Sequence, residues 1–211
     1  MKMYCLSGLG VDQRAFQNIN PKGIELIHIE WIEPLTDETL EQYSKRLFDK
    51  IQPEDNYKLI GVSFGGMIAI EFSKIKKPSK LFLVSTLISR KELSIIFKLG
   101  SMLKIHKLIP TSLLKKSNYF TNYLFGINDE LDKKLLKEIL NDTDPKFLKW
   151  AINAIVNWDN TLNIDGIRIH GTNDKILPIS SSNLIKIDQG GHFMIVNKGK
   201  EITNIIERND A

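Results

Sequence analysis

The chain is short of cysteine. Cys5 is the only one, which excludes an intrachain disulfide and leaves nothing that points to an oxidising compartment. It lies in the apolar run from Met3 to Leu6, where a small buried thiol is the plain expectation. Long apolar runs are lacking as well, and none approaches the ~20 residues of a membrane-spanning helix. The start, Met1-Lys2-Met3-Tyr4-Cys5-Leu6, is interrupted too soon by Gly8 and Gly10 to read as a signal peptide. Charge of one sign is not in excess: 29 Lys and Arg stand against 25 Asp and Glu, a net charge of +4, and they are spread along the chain. That argues against nucleic acid as a partner. No internal repeat and no low-complexity segment occurs. A cytoplasmic protein without stable membrane insertion is expected.

What the sequence does have is the means to fold on its own. Its 211 residues, 42% hydrophobic and 26% charged, suit one domain with one continuous core. Short apolar runs alternate with amphipathic stretches, which predicts βαβ units and a doubly wound, mainly parallel six-stranded sheet of the α/β class. Strands are predicted at Met3–Leu6, Ile24–Ile29, Tyr57–Val62, Leu81–Val84, Ile164–His170 and Leu184–Ile187. Thr36 is expected to cap a helix whose inner face carries Leu40, Tyr43, Leu47 and Ile51. From about Ile88 to Asn160 only helices are signalled. A capping box at Ser89 to Glu92 precedes the stripe Ile95, Ile96, Leu99, Met102 and Leu103. Further helices are expected at Leu131–Leu140 and from Pro145, capped by Asp144 or Thr143. A last helix follows from about Gly199 to Ile206. Residues 1–87 and 161–211 thus read as a core, with 88–160 as a helical cap inserted into it.

One motif carries chemistry. Gly61-Val62-Ser63-Phe64-Gly65 follows a predicted strand and opens a helix, the setting a nucleophile elbow requires. Such a turn strains the serine backbone and tolerates only small neighbours, here Gly61, Gly65 and Gly66. A serine hydroxyl needs a base, and the base needs an orienting acid. In this architecture the order is serine, acid, histidine, each on a loop after a later strand. His28 precedes the serine, and His106 lies in the helical insertion. His170 sits at a strand end, where it reads as support for the turn. His192 follows the last strand after Gly190-Gly191 and is the expected base. Asp174 lies on the loop after the penultimate strand and is the expected acid, ahead of Asp165 and Asp188. The loop after Val84 has Ser85 and Thr86 but no carboxylate. The oxyanion would be held by backbone N–H groups. Phe64 would supply one and Leu9, in Ser7-Gly8-Leu9-Gly10, the other.

Together these residues resemble the α/β-hydrolase superfamily, in its branch of small bacterial esterase-like and acyltransferase-like serine hydrolases. The likeness rests on Gly8 to Gly10, on the elbow through Gly66, on His170-Gly171-Thr172-Asn173-Asp174 and on Gly190-Gly191-His192-Phe193. The run Trp150-Ala151-Ile152 through Trp158 also resembles the helix before the acid-bearing strand. Ser7 stands where the family usually has histidine, and the family's leading hairpin is missing. The resemblance implies strand order 2-1-3-4-5-6 and hydrolysis of a small-molecule carboxylic ester or thioester through an acyl-serine, with no cofactor and no metal. The same triad would serve C–C or amide hydrolysis, and a ligand-binding protein of low turnover could keep the same fold. The cap is expected to set the substrate. Met67, Met102, Phe120, Phe125 and Trp150 are the candidate pocket residues, and the cap lysines Lys98, Lys104, Lys107, Lys115 and Lys116 the candidate solvated or anion-facing group.

Overall fold

Side chains alternate across a strand, so a run that is apolar at every position can be buried only between two layers. After an opening lysine, β1 (Lys2–Leu6), β3 (Lys58–Val62) and β4 (Lys80–Val84) are such runs, buried almost throughout. The structure is a computed structural model that describes residues 1–9, 11–93, 118–178, 181 and 183–210. With β2 (Glu25–His28), β5 (Ile167–Gly171) and β6 (Ile185–Ile187) the strands form one six-stranded sheet of order β2-β1-β3-β4-β5-β6. Every neighbouring pair is parallel. This is the expected architecture and the expected order.

The alternation sorts the core into two layers. Tyr4, Leu6, Leu59, Leu81 and Leu83 face α1 (Leu40–Ile51), α2 (Phe64–Ile75) and α5 (Pro145–Asn157). Met3, Cys5, Ile60, Phe82 and Val84 face a 3-10 turn (Gln13–Phe16), α4 (Glu130–Asp142), α6 (Met194–Asn197) and α7 (Gly199–Asn209). Between β4 and β5 the described chain also holds α3 (Tyr119–Phe125). The side-chain amide of Asn160 donates to the Ile88 carbonyl at 2.8 Å, so the chain leaves β4 and returns toward β5 at neighbouring points. Trp158 donates its indole N–H to the buried Glu71 at 2.7 Å, and Arg168 pairs with Glu92 at 2.9 Å. Among the described residues no helix is long and apolar enough to cross a membrane.

Some local expectations are corrected. Thr36 caps nothing, because Asp37 turns through a left-handed φ of 56° and the chain is not helical before Leu40. The cap is Thr39, which forms a capping box with Gln42. Ser89 makes no side-chain cap bond; the Glu92 carboxylate accepts from Ile88 N–H and binds Arg168 instead. β5 begins at Ile167, three residues later than expected, where its pairing with Phe82 of β4 begins. The stripe from Ile95 to Leu103 and the five cap lysines lie outside the described residues. Asp144 caps α5 by accepting from Phe147 N–H at 2.7 Å, with Pro145 in the first turn.

Thr39→Ala should cost about 1 kcal/mol and lower Tm by roughly 2–4 °C. Thr36→Ala should leave Tm almost unchanged. Scanning calorimetry of the two variants separates the caps.

Candidate active site

The sheet reverses its strand order between β1 and β3, and the crevice beyond the strand ends at such a point is where open α/β sheets bind ligands. Two loops meet there: Ser7 to Leu9 after β1, and Ser63 after β3. Ser63 has φ 52° and ψ −117°, a left-handed, strained backbone between the last strand residue and the first helical one. Its surroundings hold that strain. Ser63 N–H donates to the Val84 carbonyl at 2.9 Å, and its own carbonyl accepts from Gly66 N–H at 2.9 Å and from the Thr86 hydroxyl at 2.6 Å. The turn also needs an absence. A Cβ at Gly65 would stand 2.2 Å from the Ser7 carbonyl oxygen and 2.3 Å from that of Leu6, so only glycine lets the β1 loop lie against the start of α2.

The Ser63 hydroxyl does not cap its helix. It donates to His192 Nε2 at 2.9 Å, and His192 Nδ1–H donates to Asp174 Oδ2 at 2.8 Å. In the neutral ring these two bonds require the proton on Nδ1, which leaves Nε2 free to accept. His192 and Asp174 are both buried. Their loops are laced together: Thr172 N–H donates to Ile187 O, Asn173 N–H to Gly190 O at 2.9 Å, and Gln189 N–H to the Thr172 hydroxyl. A Cβ on Gly171 would meet the Gly190 carbonyl oxygen at 2.1 Å, so this approach too depends on glycine. Asp174 Oδ1 accepts from Ile176 and Leu177 N–H at 3.0 and 2.8 Å. Burial pushes the Asp174 carboxyl up, but the His192 ring beside it and the N–H bonds outweigh that and hold it below its ordinary value.

The other named residues are placed as follows. Phe64 is the first residue of α2 and is buried. Leu9 is half-buried in the turn after β1, and a Cβ on neighbouring Gly8 would lie 3.5 Å from Ser63 Cβ. The Ser7 hydroxyl donates to the Val11 carbonyl at 2.6 Å and closes that loop. Asp165 is exposed and pairs with Lys77, Asp188 faces Thr172, and the His28 ring packs on Phe16. Cys5 is buried, and burial pushes its thiol well up. His106 lies outside the described residues. Among the described residues no group of three His, Cys, Asp or Glu could hold a metal ion.

The expected pocket residues that the structure describes lie in separate surroundings. Met67 is fully buried in α2 as core packing, and Met102 lies outside the described residues. Phe120 is 65% exposed on α3. Trp150 donates to the Glu38 carbonyl and packs tilted against Tyr43, 4.4 Å between centroids, which makes it a docking residue of α5. Phe125 sits edge-on to the His192 ring at 5.8 Å, and its carbonyl accepts from Phe193 N–H at 3.0 Å. Sequence reasoning missed Trp31, whose ring packs against Phe64 at 5.6 Å and Phe147 at 5.7 Å. Trp31, Val11, Ile32, Ile139 and Phe147 line a cavity of about 490 Å³ rimmed by Asp12, Glu33, Asp142 and Asp144. Neither its loop nor its spacing signalled Trp31, because isolated aromatics outside periodic segments carry no pattern.

No protein-family model matches this sequence, and no curated protein matches it either. Solved structures do. An esterase from Exiguobacterium antarcticum superposes with a TM-score of 0.77 at 17% identity, covering 98% of this chain and 90% of that one. A lipase-esterase related protein from Clostridium acetobutylicum gives 0.72 at 18% identity, with 98% and 93% covered. A bromoperoxidase from Bacillus anthracis gives 0.68 at 16% identity, with 97% and 90% covered. The fold is that of the α/β-hydrolases.

Gly65→Ala should destabilise the protein by more than about 2 kcal/mol in urea titrations. Gly8→Ala, whose Cβ would make only ordinary contacts, should cost far less. A second expectation concerns acid. The folded Asp174 carboxyl binds its proton less readily than the unfolded one, so its contribution to stability is complete above the ordinary carboxyl pKa and is lost as the pH falls below it. The stability difference between wild type and Asp174→Asn should therefore shrink as the pH falls through about 4.

Proposed function

We propose that the protein is a serine hydrolase that cleaves a small-molecule carboxylic ester or thioester through an acyl-serine intermediate. The observation that carries this reading is the continuous pair of hydrogen bonds from Ser63 through His192 to Asp174, 2.9 and 2.8 Å long. Ser63 Oγ attacks the acyl carbon as His192 Nε2 takes its proton. Asp174, ionised and buried, stabilises the imidazolium that results. The oxyanion is held by the backbone N–H groups of Phe64, at the positive end of α2, and of Leu9. Donors of this kind are worth roughly 3–4 kcal/mol each by mutation. The leaving alcohol or thiol then receives the proton from His192, and water enters by the same route to release the acid.

The likeness to esterases supports the hydrolase reading at the level of the fold. The helices between β4 and β5 are read as a cap, with Phe125 edge-on to the His192 ring at 5.8 Å. The lone buried thiol fits a reducing compartment, so we place the enzyme in the cytoplasm.

A fluorophosphonate probe should label the wild-type protein at Ser63, and Ser63→Ala should remove both the label and p-nitrophenyl ester hydrolysis, the latter by a factor of ~10³ or more. A wild-type protein that stays unlabelled would contradict the enzyme reading and favour a binding protein. Labelling that persists in Ser63→Ala would assign the chemistry to another serine.

A further inference from the structure

Asp174 is approached by two imidazoles. Besides His192, the ring of His170 lies with Nε2 at 3.4 Å from Asp174 Oδ2, the same oxygen that accepts from His192. His170 Nε2 also stands 2.8 Å from the Leu177 carbonyl, which can only accept, so Nε2 carries a proton and points it into the Asp174 loop. Leu177 in turn donates its N–H to Asp174 Oδ1 at 2.8 Å. A ring of contacts therefore runs from His170 to Leu177, from Leu177 to Asp174, and back to His170. The His170 side chain is 4% exposed and that of Asp174 not at all, so water does not substitute for a lost partner.

We propose that His170 is a positioning residue for the Asp174 carboxylate: its Nε2–H, given to the Leu177 carbonyl, clamps the 174–177 loop that carries that carboxylate. The proposal rests on the triad reading given above. The charged and titratable groups around His170 are Asp174, His192 on the loop after β6, Arg168 on its own strand and Lys186 opposite it on β6. The adjoining stretch of β4, Leu83 to Ser85, brings no charge. Burial foremost, with help from His192 and Arg168 and against the pull of Asp174 and the Leu177 carbonyl, holds the pKa of the His170 ring below its ordinary value. A neutral ring is what the role requires. A cationic His170 would compete with the His192 imidazolium for one carboxylate oxygen.

The test compares His170→Leu, which has no donor, with His170→Gln, whose carboxamide N–H can reach the Leu177 carbonyl. Rates are measured on a p-nitrophenyl ester and normalised to sites titrated by a fluorophosphonate. In His170→Leu, kcat should fall about tenfold, the worth of one hydrogen bond, with KM within about twofold. The acid limb of kcat/KM should move down by about half a pH unit, because a carboxylate no longer held in place stabilises the His192 imidazolium less. His170→Gln should restore both. If His170→Leu does not fold, His170→Asn, too short to reach Leu177, must show the same loss and the same displaced limb. Equal behaviour of the donor and donor-free variants, or lower Tm with an unmoved acid limb and unchanged rate per titrated site, would overturn the proposal while leaving the triad standing. A wild-type protein that takes no label would instead overturn the triad reading, and this proposal with it.

Discussion

The backbone of Ser63, at φ 52° and ψ −117°, is the constraint on which the rest of the site depends. A β-strand that turned into a helix by an ordinary route would point its junction residue into the packed layers. The left-handed turn instead lifts the side chain out at the strand ends, where the loops after β1, β5 and β6 converge. Such a conformation costs of order 1–3 kcal/mol. It persists because the Val84 carbonyl, the Thr86 hydroxyl and Gly66 N–H hold both sides of the turn, and because Gly65 leaves room for the β1 loop.

Electrostatics follow from the same placement. A carboxylate buried as deeply as Asp174 would ordinarily prefer its neutral form. Two backbone N–H groups on one oxygen and the His192 N–H on the other reverse that preference. The acid therefore stays ionised where its charge is needed, and the imidazole is fixed in the tautomer that leaves Nε2 facing Ser63. The α/β-hydrolase fold also houses a bromoperoxidase among the chain's structural neighbours. The fold therefore does not fix the reaction; the side chains placed on it do.

Much of this was legible in the residues themselves. Continuous apolar runs marked the buried parallel strands, and the Gly-x-Ser-x-Gly spacing marked the turn, because both patterns are local consequences of burial and sterics. The order of Asp174 and His192 after Ser63 was legible for a related reason: in a parallel sheet every post-strand loop emerges at the same edge. The pocket was not. Met67 and Trp150 have the apolar character of lining residues, yet Met67 fills the core and Trp150 docks a helix, and composition cannot tell a face that packs from one that opens. Trp31 and the paired contacts of His170 depend on which loops meet in space. Thr39 rather than Thr36 caps α1 because a single left-handed residue, Asp37, delays the helix.

The central claim is that Ser63 becomes acylated during turnover. It is tested most directly by mixing the protein with p-nitrophenyl acetate, quenching in acid within the first turnovers, and mapping the adduct by peptide mass spectrometry. The account predicts one acetyl group, on the peptide that contains Ser63, appearing with a burst of p-nitrophenol and absent from Asp174→Asn and His192→Ala at the same time point. An acetyl group on a different side chain, or hydrolysis at full rate with Ser63 unmodified and no burst, would contradict it.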